Sequence, residues 1–440
     1  MERYDQLYRL YDEFDADQLR AYQEFVDLFP PLDERVALAY WEDASDELDA
    51  LQAAIHEGFP GTGETYADIA AHATRDQTFT GLDLYTKHGR RVNALVLDVD
   101  ETLRSAGTTD NEIPRETLHL LTEFHEAGVP IVVCTGQTLE NVKGFLIQGL
   151  GNELVHSGEL SVVYESGTGV FTPGHGPDTK RLLYEENLDE AVRSVFEGLR
   201  ERVLSAAPAS IRRGCHLQGN EFNVTLKPNF ETGSDDAVEV IDEGLVYLLD
   251  LLGAVVAERV DGVESNAASN GDATRGDAGD GDATRSSEEP SDSARWVRSF
   301  FGGRDPEIRG VLDARGALPD SVDVPEPVAD FLERVDVAYY EGDAAEVVSR
   351  ELNKPVGVRA AFDVLGIDDP FALVMGDSKS DLRVMEWVAE TDSGIAAAPT
   401  HASTAVLDHV KETDELAFLP GDASDVLRTV YALNRLADAD

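Results

Sequence analysis

Three short apolar runs, VNALVL at 92–97, VPIVVC at 129–134 and FALVM at 371–375, each stop at a polar or glycine-containing turn. Runs this short, with no regular alternation of polar residues, read as strands buried on both faces, the signature of a parallel sheet covered by helices. Helical stretches fit between them, over 111–128 after the first and over 355–366 before the third. The pattern predicts an α/β chain with a doubly wound parallel sheet. In such a sheet functional groups gather at the carboxyl ends of the strands.

At 440 residues the chain exceeds one average domain. Residues 1–88 carry helical periodicity, with Leu7, Tyr8, Tyr11 and Phe14 on one stripe and Leu19, Tyr22, Phe25, Val26 and Phe29 on another. They predict a helical N-terminal extension whose stripes are core or interface. The parallel-sheet core then falls into two parts, 89–170 and 346–440, with an inserted α/β domain over 171–345. Its expected elements are helices over 188–206 and 237–252 and strands over 215–227 and 335–340. Within it, residues 261–294 are almost all small, polar or charged, and GDATR occurs at 271 and again at 281. Such a segment buries too little apolar surface to offset its ordering entropy, which predicts a disordered loop; a calcium-binding aspartate repeat is the alternative.

The formal net charge is −50, from 86 acidic and 36 basic residues, only 7 of them Lys. That balance repels nucleic acid and anionic membrane surfaces alike, and it resembles proteins of halophilic archaea, where salt screens self-repulsion. No apolar run approaches the ~18 to 20 residues of a membrane helix, and the N-terminus lacks the basic and apolar regions of a secretory signal. A soluble, cytoplasmic protein is the expectation. Cys134 and Cys215 cannot build a disulfide framework or a zinc site unaided and read as buried thiols.

The chemistry-bearing residues lie where the apolar runs end. The first run leads into Asp98-Val99-Asp100-Glu101-Thr102-Leu103, so two carboxylates share one strand end; alone, the pair could equally be an acidic cap on a surface strand. The second leads into Thr135-Gly136-Gln137-Thr138, a hydroxyl and free backbone N–H groups suited to a phosphate oxygen; alone, it reads as a strand-to-helix turn. The third leads into Gly376-Asp377-Ser378-Lys379-Ser380-Asp381, whose two acids could hold a hard cation. Ahead of it, Lys354 offers a cation for a transferring phosphoryl group, although a lone Lys is usually a solvated charge.

Taken in order, DVDETL, VVCTGQT, Lys354 and GDSKSD resemble the four motifs of the haloacid dehalogenase (HAD) superfamily. The position of the insertion, and Tyr164-Glu165-Ser166-Gly167 after the second motif, resemble the Cof-type, sugar-phosphate phosphatase branch with its large α/β cap. The resemblance covers roughly 92–430. It implies Asp98 as nucleophile, Asp100 as acid/base, and Lys354 with Thr135 and Gly136 as the phosphate grip. It also implies Mg²⁺ held by Asp98, the backbone carbonyl of Asp100 and Asp377, with Asp381 orienting ligands or Lys354. The expected activity is hydrolysis of a small phosphorylated metabolite, a sugar or sugar-acid phosphate. A phosphomutase or phosphotransferase, or a non-catalytic interaction protein, are the alternatives. His216, Gln218, Asn220, Glu221 and Asn223 in the insertion are candidates for substrate choice. Three positions depart from the family pattern: Glu101 stands where Gly is usual, Gln137 where the branch has Arg, and Ser380 where Asn is common.

Overall fold

The computed structural model describes residues 2–31, 34–104, 112–260, 290–320 and 322–439. Its contacts divide the chain into two compact units, 1–181 with 354–440, and 182–353.

The first unit is built on an eight-stranded sheet. Its strands are β1 (Ala94–Leu97), β2 (Ile131–Cys134), β3 (Leu160–Tyr164), β4 (Gly169–Phe171), β5 (Lys180–Leu182), β10 (Ala372–Met375), β11 (Gly394–Pro399) and β12 (Leu416–Phe418), in the order β12-β11-β10-β1-β2-β3-β4-β5. From β12 to β3 the strands are parallel, and β4 runs antiparallel to β3. Every residue of β1, β2 and β10 is buried, as the apolar runs predict for strands covered on both faces. Chain order proceeds one way from β1 through β2 to β3, and the other way from β10 through β11 to β12. The reversal lies between β1 and β10, which pair with Leu97 beside Met375. A crevice outside the carboxyl ends is expected there.

Five helices, Glu2–Glu13, Ala16–Leu28, Arg35–Gly58, Gly63–His72 and Arg75–His88, precede the sheet. They form no unit of their own. Leu7, Leu10, Leu19, Ile55 and Ile69 make one core with Ala432 and Leu436 of the last helix, Ala423–Asp438. Not every residue of the aromatic stripes is inside it: Tyr8 and Phe29 are exposed. Helix Arg75–His88 lies close against the last helix because residue 81 is glycine. A Cβ there would stand 2.7 Å from the Thr429 carbonyl oxygen and 3.0 Å from the Leu433 nitrogen.

The second unit holds a four-stranded antiparallel sheet, β6 (Cys215–Gln218), β7 (Asn223–Pro228), β8 (Val335–Tyr340) and β9 (Ala344–Ser349), in the order β6-β7-β9-β8. Helix Ser234–Arg259 packs on it and also touches helices Glu190–Arg202 and Asp292–Gly302. Leu245, Leu248, Leu249 and Leu252 are fully buried along that long helix.

The inserted unit does not span 171–345 as expected. β4 and β5 join the large sheet at its start, and β9, paired along its whole length with β8, extends it to Asn353 at its end. Most of the segment 261–294 lies outside the described residues. Its last part is ordered, because Ser291 caps helix Asp292–Gly302, its side-chain oxygen accepting from the Ala294 N–H, and Val297 and Phe301 are buried.

Gly81→Val is expected to lower stability by about 1–3 kcal/mol, the usual cost of overpacking. Gly310→Ala, in an exposed helical site where a Cβ meets nothing within 4 Å, is expected to raise it by about 0.5–1 kcal/mol. Denaturant unfolding of both variants checks the pair, and equal behaviour would show that the close helix contact does not matter.

Candidate active site

The groups predicted to carry chemistry lie at the carboxyl ends of β1, β2 and β10. Asp98 follows β1 directly, its N–H donating to the Met375 carbonyl, and it is 6% exposed. Asp377 follows β10 after Gly376. Asp381 sits one turn into helix Lys379–Glu390 and is 3% exposed. Lys354 is the first residue of helix Lys354–Leu365 and is also 3% exposed. Its ammonium donates to Asp98 Oδ1 at 2.8 Å and to Asp381 Oδ1 at 2.6 Å. Carboxylate oxygens of Asp98, Asp377 and Asp381 all lie within 4.8 Å of one another.

Local structure explains why the acids converge. Ser378 caps helix Lys379–Glu390, and its N–H and hydroxyl both donate to Asp381 Oδ2, at 3.1 and 2.6 Å, which turns that carboxylate back over the strand end. Gly376 makes room for it. A Cβ at 376 would lie 2.3 Å from the Asp381 Cβ, so any other residue would force Asp381 away.

Three carboxylates face one ammonium. With all ionised, three negative charges against one positive leave an excess of two in a site almost closed to water, which is costly unless a further cation joins. Burial pushes the Asp98 carboxyl up to about 8; Lys354 opposes the rise and Asp381 adds to it. Asp377 is pushed up to about 6, again by burial first and then by Asp381. For Lys354, burial works against the charge, but Asp381 and Asp98 outweigh it and hold the ammonium well above its ordinary range. The donor set is oxygen only, and it fits a hard divalent cation such as Mg²⁺. Burial likewise pushes the Cys134 thiol up, in keeping with an inert residue.

Thr135 and Gly136 follow β2. Thr135 is buried, its N–H donates to the Val163 carbonyl, and its Oγ1 accepts from the Gln137 N–H at 3.0 Å. Glu165 and Ser166, both with positive φ, hydrogen-bond back to this turn through their N–H groups, to the Gln137 and Thr135 carbonyls.

Asp100 is arranged differently from the other acids. Among the described residues its side chain joins no acidic cluster: Oδ1 accepts from Arg104 and Oδ2 from Gln137. Arg104 was not singled out from the sequence. An acid–arginine pair four residues apart in DVDETLR was the available signal, and it is easily discounted outside a helix. In the second unit, Asn220 and Asn223 shape the β6–β7 turn. Asn220 Oδ1 accepts from the Phe222 N–H and Asn223 Oδ1 from the Thr225 hydroxyl, whereas half-buried His216 stacks on the fully exposed Phe230 and exposed Gln218 is hydrogen-bonded to its imidazole.

No protein-family model and no curated protein matches the chain. Among solved structures it is similar to trehalose-6-phosphate phosphatase from Aspergillus fumigatus, with 15% identity over 81% of this chain and 97% of that one and a TM-score of 0.40. It is also similar to a haloacid dehalogenase-like hydrolase from Bacteroides thetaiotaomicron (14% identity, 78% and 99% covered, TM-score 0.39). A phosphatase of the haloalkanoate (HAD) enzyme superfamily from the same organism gives 14% identity, 78% and 96% coverage and a TM-score of 0.40. In this chain Asp98, Thr135 and Asp377 stand at the carboxyl ends of neighbouring strands, around the point where the sheet changes direction.

Lys354→Met should remove the only cation hydrogen-bonded, among the described residues, to Asp98 and Asp381. Stripping a partner from a buried ion pair costs about 3–5 kcal/mol. That loss is expected in chelator by chemical denaturation at alkaline pH, and added Mg²⁺ should recover part of it. A variant as stable as the parent would show that the cluster is not held by its charge balance.

Proposed function

We propose that the chain is a Mg²⁺-dependent phosphomonoesterase acting on a small phosphorylated metabolite. The observation that carries this reading is the Lys354 ammonium held between Asp98 and Asp381, with Asp377 alongside, at the reversal point of the sheet. Asp98, Asp377 and Asp381 would hold the cation, which when bound supplies positive charge against the phosphoryl oxygens.

Asp98 attacks phosphorus, and the bond from phosphorus to the ester oxygen breaks. Asp100 delivers a proton to the departing oxygen, so the alcohol leaves neutral and the phosphoryl group rests on Asp98 as an acyl phosphate. Water then attacks phosphorus while Asp100 takes its proton. The bond to Asp98 breaks, and inorganic phosphate and the free carboxylate are restored. Lys354 faces the charge that grows on the phosphoryl oxygens, and the Thr135 hydroxyl with the Gly136 backbone would complete the grip.

The substrate class we favour is a sugar or sugar-acid phosphate. We assign choice among such esters to the inserted unit, with His216, Gln218, Asn220, Glu221 and Asn223 as the candidates.

The test is a panel of phosphate esters assayed with Mg²⁺ in molar KCl, beside Asp98→Asn and a chelator control. Turnover releasing inorganic phosphate is expected, with a loss of about 10³-fold or more in the variant, as for removal of other nucleophiles. Undiminished turnover by Asp98→Asn would sink the mechanism, and transfer of phosphate to an added alcohol instead of water would reassign the reaction.

A further inference from the structure

The resting position of Asp100 is set from two sides. Arg104 Nε and one terminal nitrogen donate to Oδ1 at 3.0 and 2.7 Å, and Gln137 Nε2 donates to Oδ2 at 2.6 Å. Both partners are themselves fixed. Arg104 closes the turn that leaves β1, where the Val99 carbonyl accepts from the N–H groups of Leu103 and Arg104, and its side chain is only 12% exposed. Gln137 is anchored through its backbone, its N–H donating to Thr135 Oγ1 and its carbonyl accepting from the Glu165 N–H. The Asp100 side chain, 47% exposed, would otherwise be free to rotate.

We infer that Arg104 and Gln137 are positioning residues for Asp100: a clamp spanning the turns after β1 and β2 that presents its carboxyl to the ester oxygen. This rests on the function proposed above. The two sides of the clamp differ in kind. Arg104 places its Nε–H and one terminal N–H on Oδ1, which leaves Oδ2 as the working atom. Gln137 is the only one of the pair able to follow a proton on that atom, because after rotation of its amide the Oε1 accepts where the Nε2 donated. Arg in its place could only donate.

A proton delivered by Asp100 matters in proportion to how badly the leaving oxygen needs one. An alkoxide leaves poorly without it, whereas a nitrophenolate departs unaided. The clamp therefore predicts a signature in kcat/KM, which reports the step in which the ester bond breaks. Arg104→Met keeps an apolar stem and removes the donors. It is expected to lower kcat/KM for an alkyl phosphate by about 10²-fold, at the low end of what general acid catalysis contributes, and for p-nitrophenyl phosphate by only a few-fold. Gln137→Leu should behave alike, and Arg104→Lys should recover part of the loss.

A double-mutant cycle closes the test. In an Asp100→Asn background, Arg104→Met should cost little more, because the residue through which it acts is already disabled. Equal losses on both esters, losses that add in the double variant, or no loss at all would each overturn the clamp. Circular dichroism and thermal unfolding of each variant separate misfolding from misplacement, and Gln137→Leu carries the test should Arg104→Met not fold. A parent enzyme inert towards every ester in the panel would instead bring down the phosphatase reading, and the clamp with it.

Discussion

A single buried ammonium holds together groups from three stretches of chain. Lys354 starts one helix, Asp381 lies in the first turn of another, and Asp98 ends a strand. Two carboxylates at 2.8 and 2.6 Å from one Nζ are tolerable in a nearly dry pocket only because the cation is there, and it stays charged because they are. The fold follows from this constraint as much as it provides it. β10 must carry glycine at 376 so that Asp381 can turn back, and Ser378 must cap its helix so that Asp381 faces Lys354 with one oxygen while the cap holds the other. The excess of carboxylates over ammonium suits the same pocket to a hard cation.

How much of this could be read from the residues depended on how local the signal was. β1, β2 and β10 were legible because an apolar run bounded by a polar turn is a local pattern, and the turns that followed carried the acids and the hydroxyl. Lys354 was legible because Lys is scarce and the motif order placed it. The clamp on Asp100 was not, since Gln137 reaches it across 37 positions and only the pairing of β1 with β2 brings the two turns side by side. The limits of the inserted unit were misjudged for a related reason. Whether β4 and β5 extend the large sheet or open a new one is decided by hydrogen bonds to β3, which the residues of 169–182 do not announce. β9 reads AAEVVS, too rich in alanine for its strand character to show before β7 and β8 are there to pair with it.

Charge is distributed unevenly between purposes. Several ion pairs join exposed arginines to exposed acids, and such pairs contribute little. Two are different. Arg298 meets Asp250 with two nitrogens, both at 2.6 Å, and fixes helix Asp292–Gly302 to the long helix of the second unit. Arg428 donates to Glu116 and to the His72 carbonyl, so one side chain of the last helix holds both an N-terminal helix end and a helix flanking the sheet. Planar, forked donors suit these buried tasks, whereas the lysine ammonium is kept where a compact point charge is needed.

Glu101 shows the cost of this arrangement at its sharpest point. It has φ +59°, a left-handed backbone that a long side chain adopts reluctantly. The turn cannot relax, because Asp98 on one side is fixed by Lys354 and Arg104 on the other is fixed to Asp100. The strain, of order 1 kcal/mol or more, is thus sustained by the two interactions that flank it. The Glu101 carboxylate lies 3.6 Å from the His401 imidazole, in the loop that follows β11. A residue with a side chain there can join the turn after β1 to the far side of the reversal point, which glycine could not do, and that contact is the compensation the structure offers for the unfavourable backbone.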